Sequence, residues 1–265
     1  MVTRRKIDKD AAHFLKLIGE VHGEQIFQSF MEKHTRFIPR EFVQNHGIGM
    51  SLVLRKFGFG SDYKTDFFYF SKSSDDWNAV FIEIEKPSCK FFKSKSNSFT
   101  AEFNNALEQI NNWRAWLLDE KNKATFRSNV SAIQMPSHIA HNPIYNKFVL
   151  VFGRRSEYEN NNVRRGRVAA LEREDFKIIT FDSLAEGLES KHELTIGSRH
   201  NEFIDILSDE IDYPALYSWM DPTQLRVSNT LRDKLLENKN SSFKKIVDGK
   251  PVNSLTYAAE KVRVK

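Results

Sequence analysis

The sequence predicts an α/β fold, in which strands and helices alternate along the chain as far as Leu188. Two observations lead to this prediction. Short runs rich in Phe, Tyr, Val and Ile, such as residues 63–70 and 148–152, are typical of strands. Apolar side chains between Phe99 and Leu117 instead recur every three or four residues, which indicates one buried face of a helix. The resulting order, α-β-β-β-α-β-α-β, is typical of α/β domains.

Each element is predicted from a local pattern. Phe27 and Met31 are four residues apart and share one helical face. Gly58 and Gly60 predict a turn between two strands, and Pro87 ends the next strand because it cannot easily extend a paired strand. In chain order, the predicted elements are one or two helices over 11–33, strands over 51–57, 63–70 and 77–87, a helix over 99–117, a strand over 148–152, a helix over 168–173 and a strand over 177–181.

Composition excludes several classes of protein. Of the 265 residues, 40% are hydrophobic and 28% charged, which is ordinary for a soluble globular chain. No apolar run approaches the ~20 residues of a membrane span, and the N-terminal segment lacks the apolar core of a signal peptide. The single cysteine, Cys89, excludes an internal disulfide and a cysteine-based zinc site. One cysteine fits a reducing cytoplasm, so we expect a cytoplasmic protein, and the lack of an apolar span predicts no membrane partner. The sequence has no Walker or Rossmann glycine loop, and we expect no small-molecule cofactor.

Three carboxylates lie on the two strands predicted between residues 63 and 87. Asp66 is on the first strand, whereas Glu83 and Glu85 are on the second, where alternation places both glutamates on one face. Two carboxylates on an otherwise apolar strand are costly unless a cation neutralises them. Oxygen ligands suit Mg²⁺ or Mn²⁺, so the pattern points to metal-assisted hydrolysis of a phosphodiester. A solvated strand face would produce the same pattern, and this alternative stays open.

Basic residues cluster at three places and would attract phosphate groups. They lie after the second acidic strand, around Arg154 and Arg155, and beyond Ser228, where nine Lys or Arg face four Asp or Glu. Solvated loops have the same composition, so charge alone does not decide. Gln109 lies on the polar edge of the predicted helix over 99–117, where it can hold a water or a phosphate opposite the carboxylates. A solvated helix position is the alternative for this glutamine.

The run from Phe27 to Leu188 contains, in order, the stretches FQSFMEKHTRFIP, DYKTDFFYF, FIEIEKPSCKFF, AEFNNALEQINNWRAWL, FVLVFGRRSE and IITFDSL. In these stretches the chain resembles the nuclease domain of the Shedu anti-phage defence family, within the PD-(D/E)XK nuclease superfamily. The blocks EIEKP, EQxxxWRxW and GRRSE are the specific part of the likeness. The resemblance implies a mixed central sheet flanked by helices, a metal-dependent nuclease core, and assembly into a homo-oligomer. No base-reading motif is visible in the sequence, so we expect weak sequence specificity.

The resemblance also implies roles for individual residues. Asp66 and Glu83 correspond to the two acids of the superfamily motif, and Gln109 corresponds to the family's helix glutamine. Glu85 stands where the motif has lysine, so two readings stay open. The chain is either an active nuclease or a catalytically weak or inactive nuclease-like protein for DNA binding and assembly.

The ligands and contacts predicted from this resemblance fall into two sets. The residues predicted to act in catalysis are Asp66, Glu83, Glu85 and Gln109, and the first three would bind Mg²⁺ or Mn²⁺. The residues predicted to contact the phosphate backbone of DNA are Lys86, Lys90, Lys93, Arg154 and Arg155. The two arginines have a second reading, as partners for buried acids.

The chain is expected to divide into consecutive segments. Apolar residues from Phe203 to Ile211 recur at helical spacing, and no strand is evident beyond His192. A chain ending near Ser190 is therefore expected to fold, but to bind DNA less tightly or to lose its oligomeric state. An extension packed on the core as a structural helix is the alternative. The predicted segments are a basic N-terminal arm or helix (1–20), the nuclease-like domain (21–190) and a mainly helical C-terminal extension (191–265).

Overall fold

Strands and helices combine in the α/β class that the sequence predicts, with a mixed central sheet flanked by helices. The computed structural model describes residues 9–60, 62–238 and 242–265, so residues 1–8 of the predicted basic arm lie outside the described residues. The chain forms two compact units, each built from three separate stretches. Unit 1 contains the described parts of 1–41, 82–116 and 147–193, and unit 2 contains those of 42–81, 117–146 and 194–265.

Every strand predicted before residue 182 is present. The α-helices of the described residues are α1 Lys9–Leu17, α2 Glu24–Lys33, α3 Ala101–Leu118, α4 Glu120–Val130, α5 Asn162–Ala169, α6 Phe181–Leu184, α7 Leu216–Trp219, α8 Asn229–Glu237 and α9 Ser254–Lys261. The strands are β1 Leu52–Phe59, β2 Tyr63–Lys72, β3 Trp77–Ile84, β4 Ile144–Val151, β5 Phe176–Ile179, β6 Thr195–His200, β7 Phe203–Ile206, β8 Leu225–Val227, β9 Lys244–Val247, β10 Lys250–Asn253 and β11 Arg263–Val264. None of the helices within the described ranges has the length and apolar character needed to cross a membrane.

Helix α3 confirms the clearest helical pattern in the sequence. The hydroxyl of Thr100 accepts a hydrogen bond from the amide of Phe103 at 3.1 Å, which caps the first turn. Phe103, Ile110 and Trp113 share one face and are buried. The spacing of these apolar residues therefore fixes which edge of the helix carries Gln109.

Two other helices differ from the prediction. Helix α4 was not predicted, because its sequence, EKNKATFRSNV, buries only Phe126 and Val130 and shows little periodicity. Helix α5 lies earlier in the chain than the predicted 168–173, because the side chain of Asn161 caps its N-terminus by accepting the amide of Arg164 at 3.1 Å.

In unit 2, hydrogen bonds order the strands β11-β8-β7-β6-β1-β2-β3. Strand β1 pairs with β2 in antiparallel and with β6 in parallel orientation, so the sheet is mixed. Phe57, Phe68 and Phe81 pack on neighbouring strands, with ring centroids 4.4 Å apart for the first pair and 5.1 Å apart for the second. Phe126 of α4 covers them, 5.6 Å from Phe81. This aromatic core fixes the first three strands against α4.

Residues 191–265 contribute strands to this sheet, and the prediction of a mainly helical extension without strands is wrong. Strands β6, β7, β8 and β11 come from this segment, and β9 and β10 form a separate antiparallel pair. The apolar residues read as helical begin in β7, where Ile204 and Ile206 are buried. These strands have only two to six residues. Their position depends on distant partners, as when Leu52 lies opposite Thr195, which no local pattern reveals.

In unit 1, the end of β3 neighbours β4, which pairs with β5 in parallel orientation. Just beyond β3, the amide of Glu85 donates to the carbonyl of Val151 at 3.0 Å. Helices α1 and α2 bring Phe14 and Phe27 against Phe181 of α6, with ring centroids 6.4 and 5.2 Å away. The acidic strand therefore enters unit 1 beside a buried strand and within an apolar core.

Ending the chain at Ser190 is expected to prevent stable folding. Strand β1 would lose its parallel neighbour β6, and the apolar residues Leu52 and Leu54, both buried, would be exposed. Circular dichroism and urea denaturation measure the effect, with the full-length chain as control. We expect an insoluble product or the loss of the cooperative transition. A truncated chain with a cooperative transition of full-length stability would contradict this assignment of the sheet.

Candidate active site

Glu83 and Glu85 lie at the end of β3, where the strand alternates between buried and half-buried positions. Ile82 and Ile84 are fully buried, whereas both glutamates are half-buried. This alternation is the one expected for a strand, and it places the two carboxylates on one face. The Oε2 atom of Glu83 is nevertheless shielded from solvent. A carboxylate in such a position requires donors or a cation around it.

Gln109 of α3 is one of these donors. Its Nε2 atom donates a hydrogen bond to Oε1 of Glu83 at 2.5 Å. A hydrogen bond to an ionised acceptor is stronger than one between neutral groups, so it fixes the orientation of the carboxylate. The packing of Ile110, next to Gln109, against the apolar core sets the rotation of the helix. The structure thus brings together two of the predicted site residues from separate sequence motifs.

Asp66 of β2 is buried in unit 2, with 5% of its surface exposed. The Nζ atom of Lys56 lies 2.5 Å from its Oδ1 atom, and the lysine side chain is 42% exposed. In the β1–β2 register, Arg55 pairs with Phe67 and Phe57 with Thr65, which places Lys56 directly opposite Asp66. Side chains directly opposite each other in an antiparallel pair are close enough to interact. Strand pairing therefore places the Lys56 ammonium group beside the buried Asp66 carboxylate.

Lys56 is a site residue that the sequence reasoning missed. Its backbone has φ 45°, a left-handed conformation that is uncommon for a residue other than glycine and marks local strain inside the strand. Strand β1 runs past Gly58, which pairs with Lys64. The predicted turn at Gly58 and Gly60 therefore does not by itself give the register that places Lys56 opposite Asp66. The prediction considered the acids and not the strand paired with them.

The basic residues after β3 have different surroundings. Lys90 is 62% exposed, and its Nζ atom lies 3.6 Å from Glu157. Glu157 also accepts the backbone amides of Phe91 and Phe92 at 2.9 and 3.4 Å, which anchors this loop. Lys93 is exposed and Lys86 is half-buried. The loop therefore presents two exposed lysines from a fixed backbone, and their contact with DNA stays a prediction.

Arg154 and Arg155 both form ion pairs with acids of unit 1. Arg154 donates from Nε and Nη2 to Asp182, with a shortest distance of 2.8 Å, and Arg155 lies 2.7 Å from Glu186. Burial alone would raise the pKa of Asp182, but hydrogen bonds from the Arg154 guanidinium and the Arg155 amide lower it below its ordinary value. These contacts correspond to the second reading of the arginines, as partners for acids.

Gly153, which precedes these arginines, occupies a position that only glycine fits. Its φ is +53°, and an added Cβ atom would lie 2.7 Å from the carbonyl oxygen of Cys89. Glycine adopts this conformation without the steric cost that other residues meet. The close approach holds the GRRSE segment against the loop that follows β3.

The predicted metal ligands are all of one chemical type. Asp66, Glu83 and Glu85 offer carboxylates only, and Mg²⁺ is commonly bound by one or two carboxylates together with several waters. Within the ranges that the structure describes, no group of three or more His, Cys, Asp or Glu is gathered to hold a metal. Carboxylate oxygens are ligands that Mg²⁺ or Mn²⁺ accepts, and a metal bound by these acids stays a prediction.

Comparison with models of known protein families gives a match. A family model described as "Shedu protein SduA, C-terminal" matches residues 22–185, which is more than half of the chain. The matched region contains Asp66, Glu83, Glu85 and Gln109. No functionally curated protein is significantly similar to the chain.

Lys56→Ala is expected to lower the free energy of unfolding by about 1–3 kcal/mol, because the buried Asp66 carboxylate would lose this ion pair. Urea denaturation measures the change. Lys64→Ala removes an exposed lysine from the same hairpin, and this matched control should change stability by no more than about 0.5 kcal/mol. The double variant Lys56→Ala/Asp66→Ala should recover part of the loss. Equal changes in unfolding free energy for Lys56→Ala and Lys64→Ala would show that the ion pair does not stabilise the fold.

Proposed function

Because the chain belongs to the Shedu SduA family of anti-phage defence proteins, we propose that it is a metal-dependent nuclease that hydrolyses phosphodiester bonds of DNA. The proposed catalytic type is that of the PD-(D/E)XK superfamily, with Glu85 in place of the motif lysine. Its sequence specificity is weak, because no segment of the sequence forms a base-reading motif.

The observation that carries the proposal is the hydrogen bond from Gln109 to Glu83. It joins the EIEKP and EQxxxWRxW blocks, which resemble the family independently of each other. A glutamine on a solvated helix position, the alternative reading, would not reach this carboxylate. The contact supports a role for Gln109 in orienting the acid and a water or phosphate near it.

In the proposed site, Glu83 and the carbonyl of Ile84, in unit 1, would hold Mg²⁺ or Mn²⁺, and the family resemblance adds Asp66, of unit 2, as a further ligand. The bound ion would neutralise charge on the scissile phosphate and lower the pKa of its water. Glu85 either adds a further ligand or accepts the proton of the attacking water. Gln109 keeps the Glu83 carboxylate oriented through its amide.

DNA contact in this proposal comes mainly from the loop after β3. Lys90 and Lys93 are exposed, and Lys86 adds a cation at the start of the loop, so the three lysines track the phosphate backbone. Arg154 and Arg155 form ion pairs with Asp182 and Glu186, so in this proposal they assist DNA binding indirectly, through the fold of unit 1. We propose a homo-oligomer as the working form, as the family resemblance implies.

A second function is favoured by a specific contact. Lys56 already neutralises Asp66 in this structure, and Glu85 replaces the motif lysine. A chain in which a lysine occupies the position of a metal would bind DNA without cutting it. This reading describes a catalytically weak or inactive nuclease-like protein that serves DNA binding and assembly. Metal-dependent cleavage separates it from the nuclease.

Glu83→Gln is expected to abolish cleavage of plasmid and linear DNA in Mg²⁺ or Mn²⁺, because the amide is a poorer metal ligand. The substitution keeps an oxygen that accepts the hydrogen bond from Gln109, so the melting temperature should stay near that of the wild type. Glu108→Gln, at an exposed position of α3, is the matched control and should cleave normally.

EDTA should abolish cleavage by the wild type and by the control variant. Undiminished metal-dependent cleavage by Glu83→Gln would remove Glu83 from the site. Binding of DNA by the wild type with no cleavage in either metal would instead favour the inactive nuclease-like protein.

A further inference from the structure

A cavity of about 730 Å³ lies within unit 2, beside the neighbouring strands β6, β1 and β2. Its volume is within the range typical of ligand-binding pockets. Basic and amide side chains dominate its lining, and two glycines of the β1–β2 hairpin, Gly58 and Gly60, expose backbone to it. The residues that matter to its charge are Arg55, Lys56, Lys64, Arg199, His200 and Asp205.

The negative charge in this lining is already neutralised. Asp205 accepts two hydrogen bonds from the guanidinium of Arg226, at 2.5 and 2.9 Å. Its Oδ2 atom also lies 3.2 Å from the ring of His200. Lys56 is paired with Asp66, so the positive charge that remains in the wall includes that of Lys64 and Arg199.

Arg199 is the lining residue whose surroundings most favour a bound anion. It is half-buried, and its Nε atom donates to the backbone carbonyl of Asn201 at 2.9 Å. Within the described part of the chain it forms no ion pair with a carboxylate, and burial lowers its pKa. A half-buried cation of this kind is stabilised when an anion enters the cavity beside it.

The cavity also adjoins Asp66, one of the proposed metal ligands. Lys56 lines the cavity wall and contacts Asp66 through its ammonium group. A strand of nucleic acid whose scissile phosphate lies at Asp66 would place a neighbouring phosphate close to Lys64 and Arg199. Arginine, lysine, asparagine and backbone amides are the groups that most often contact phosphates in DNA complexes, and the lining contains such groups.

We propose that this cavity binds the phosphate backbone of a DNA strand next to the cleaved bond, with Arg199 and Lys64 as its contacts. The inference rests on the proposed nuclease function and adds to it a site outside the loop after β3. It assigns DNA contact to residues that the motif comparison does not include.

The test is the binding of a short fluorescein-labelled DNA duplex, measured by anisotropy in EDTA so that no cleavage occurs. Arg199→Gln and Lys64→Glu should each weaken binding about fivefold and reduce the slope of log affinity against log salt by about 1. Lys121→Glu makes the same charge change as Lys64→Glu at an exposed position of α4 outside the cavity, and it should bind like the wild type. Melting temperatures check that each variant folds, and Lys64, being exposed, keeps the test valid if Arg199→Gln is unstable.

Three other outcomes would each support or overturn the assignment of this cavity to a DNA strand. Wild-type affinity and salt slope in Lys64→Glu, with intact metal-dependent cleavage, would overturn the cavity while leaving the nuclease function standing. Weaker binding in the cavity variants of a chain that never cleaves would support the cavity and contradict the nuclease. A parallel titration with a nucleoside triphosphate identifies the source of the phosphate. Loss of triphosphate binding in the variants, with unchanged duplex binding, would overturn the assignment to a DNA strand.

Discussion

Carboxylates placed on buried strands and at their ends set the main constraint on this structure. An ionised acid removed from water costs several kcal/mol unless donors or cations surround it. Glu83 receives the amide of Gln109, Asp66 receives the ammonium of Lys56, and Asp205 receives the guanidinium of Arg226. Each partner comes from a different element, so satisfying the acids also fixes a helix and several strands.

The same constraint gives structural meaning to the motifs shared with the Shedu family. Arg114 of the EQxxxWRxW block donates to Asp175 at 2.9 Å and lies over the rings of Phe148 and Phe176. Arg154 of the GRRSE block binds Asp182 of the IITFDSL stretch. These arginines connect segments that are far apart in sequence. The fold of unit 1 therefore accounts for these two arginines, and their presence in the motifs does not require a direct part in catalysis.

Local patterns predicted most of the first part of the fold. The spacing of Phe103, Ile110 and Trp113 predicted α3, and the aromatic runs predicted β2 and β3, because a core face repeats with the period of its element. The prediction failed for β6, β7, β8 and β11, since strands of two to six residues have too few side chains to show a period. Only β6 pairs with β1, and the other three strands pair in turn beyond it, so their positions depend on residues distant in sequence. A helical reading of the same apolar residues was equally consistent with the sequence.

The candidate site was predictable to a similar degree. Alternation along β3 places Glu83 and Glu85 on one face, and the apolar face of α3 directs Gln109 toward its edge. Lys56 was missed because its role depends on hairpin register and on a left-handed backbone at one residue. Arg199 was missed because it lies on β6, a strand that the sequence did not indicate. Residues whose position depends on tertiary pairing are those that local reasoning does not find.

The central claim is that Glu83 contributes to a divalent metal site. Binding of Mn²⁺, followed by electron paramagnetic resonance without DNA, tests this claim separately from catalysis. We expect the wild type and Glu108→Gln to bind Mn²⁺ with the same affinity, and Glu83→Gln to bind at least about tenfold more weakly, since a carboxylate ligand is lost. Equal Mn²⁺ affinity in all three proteins would contradict the account, because the carboxylate held by Gln109 would then have no part in metal binding.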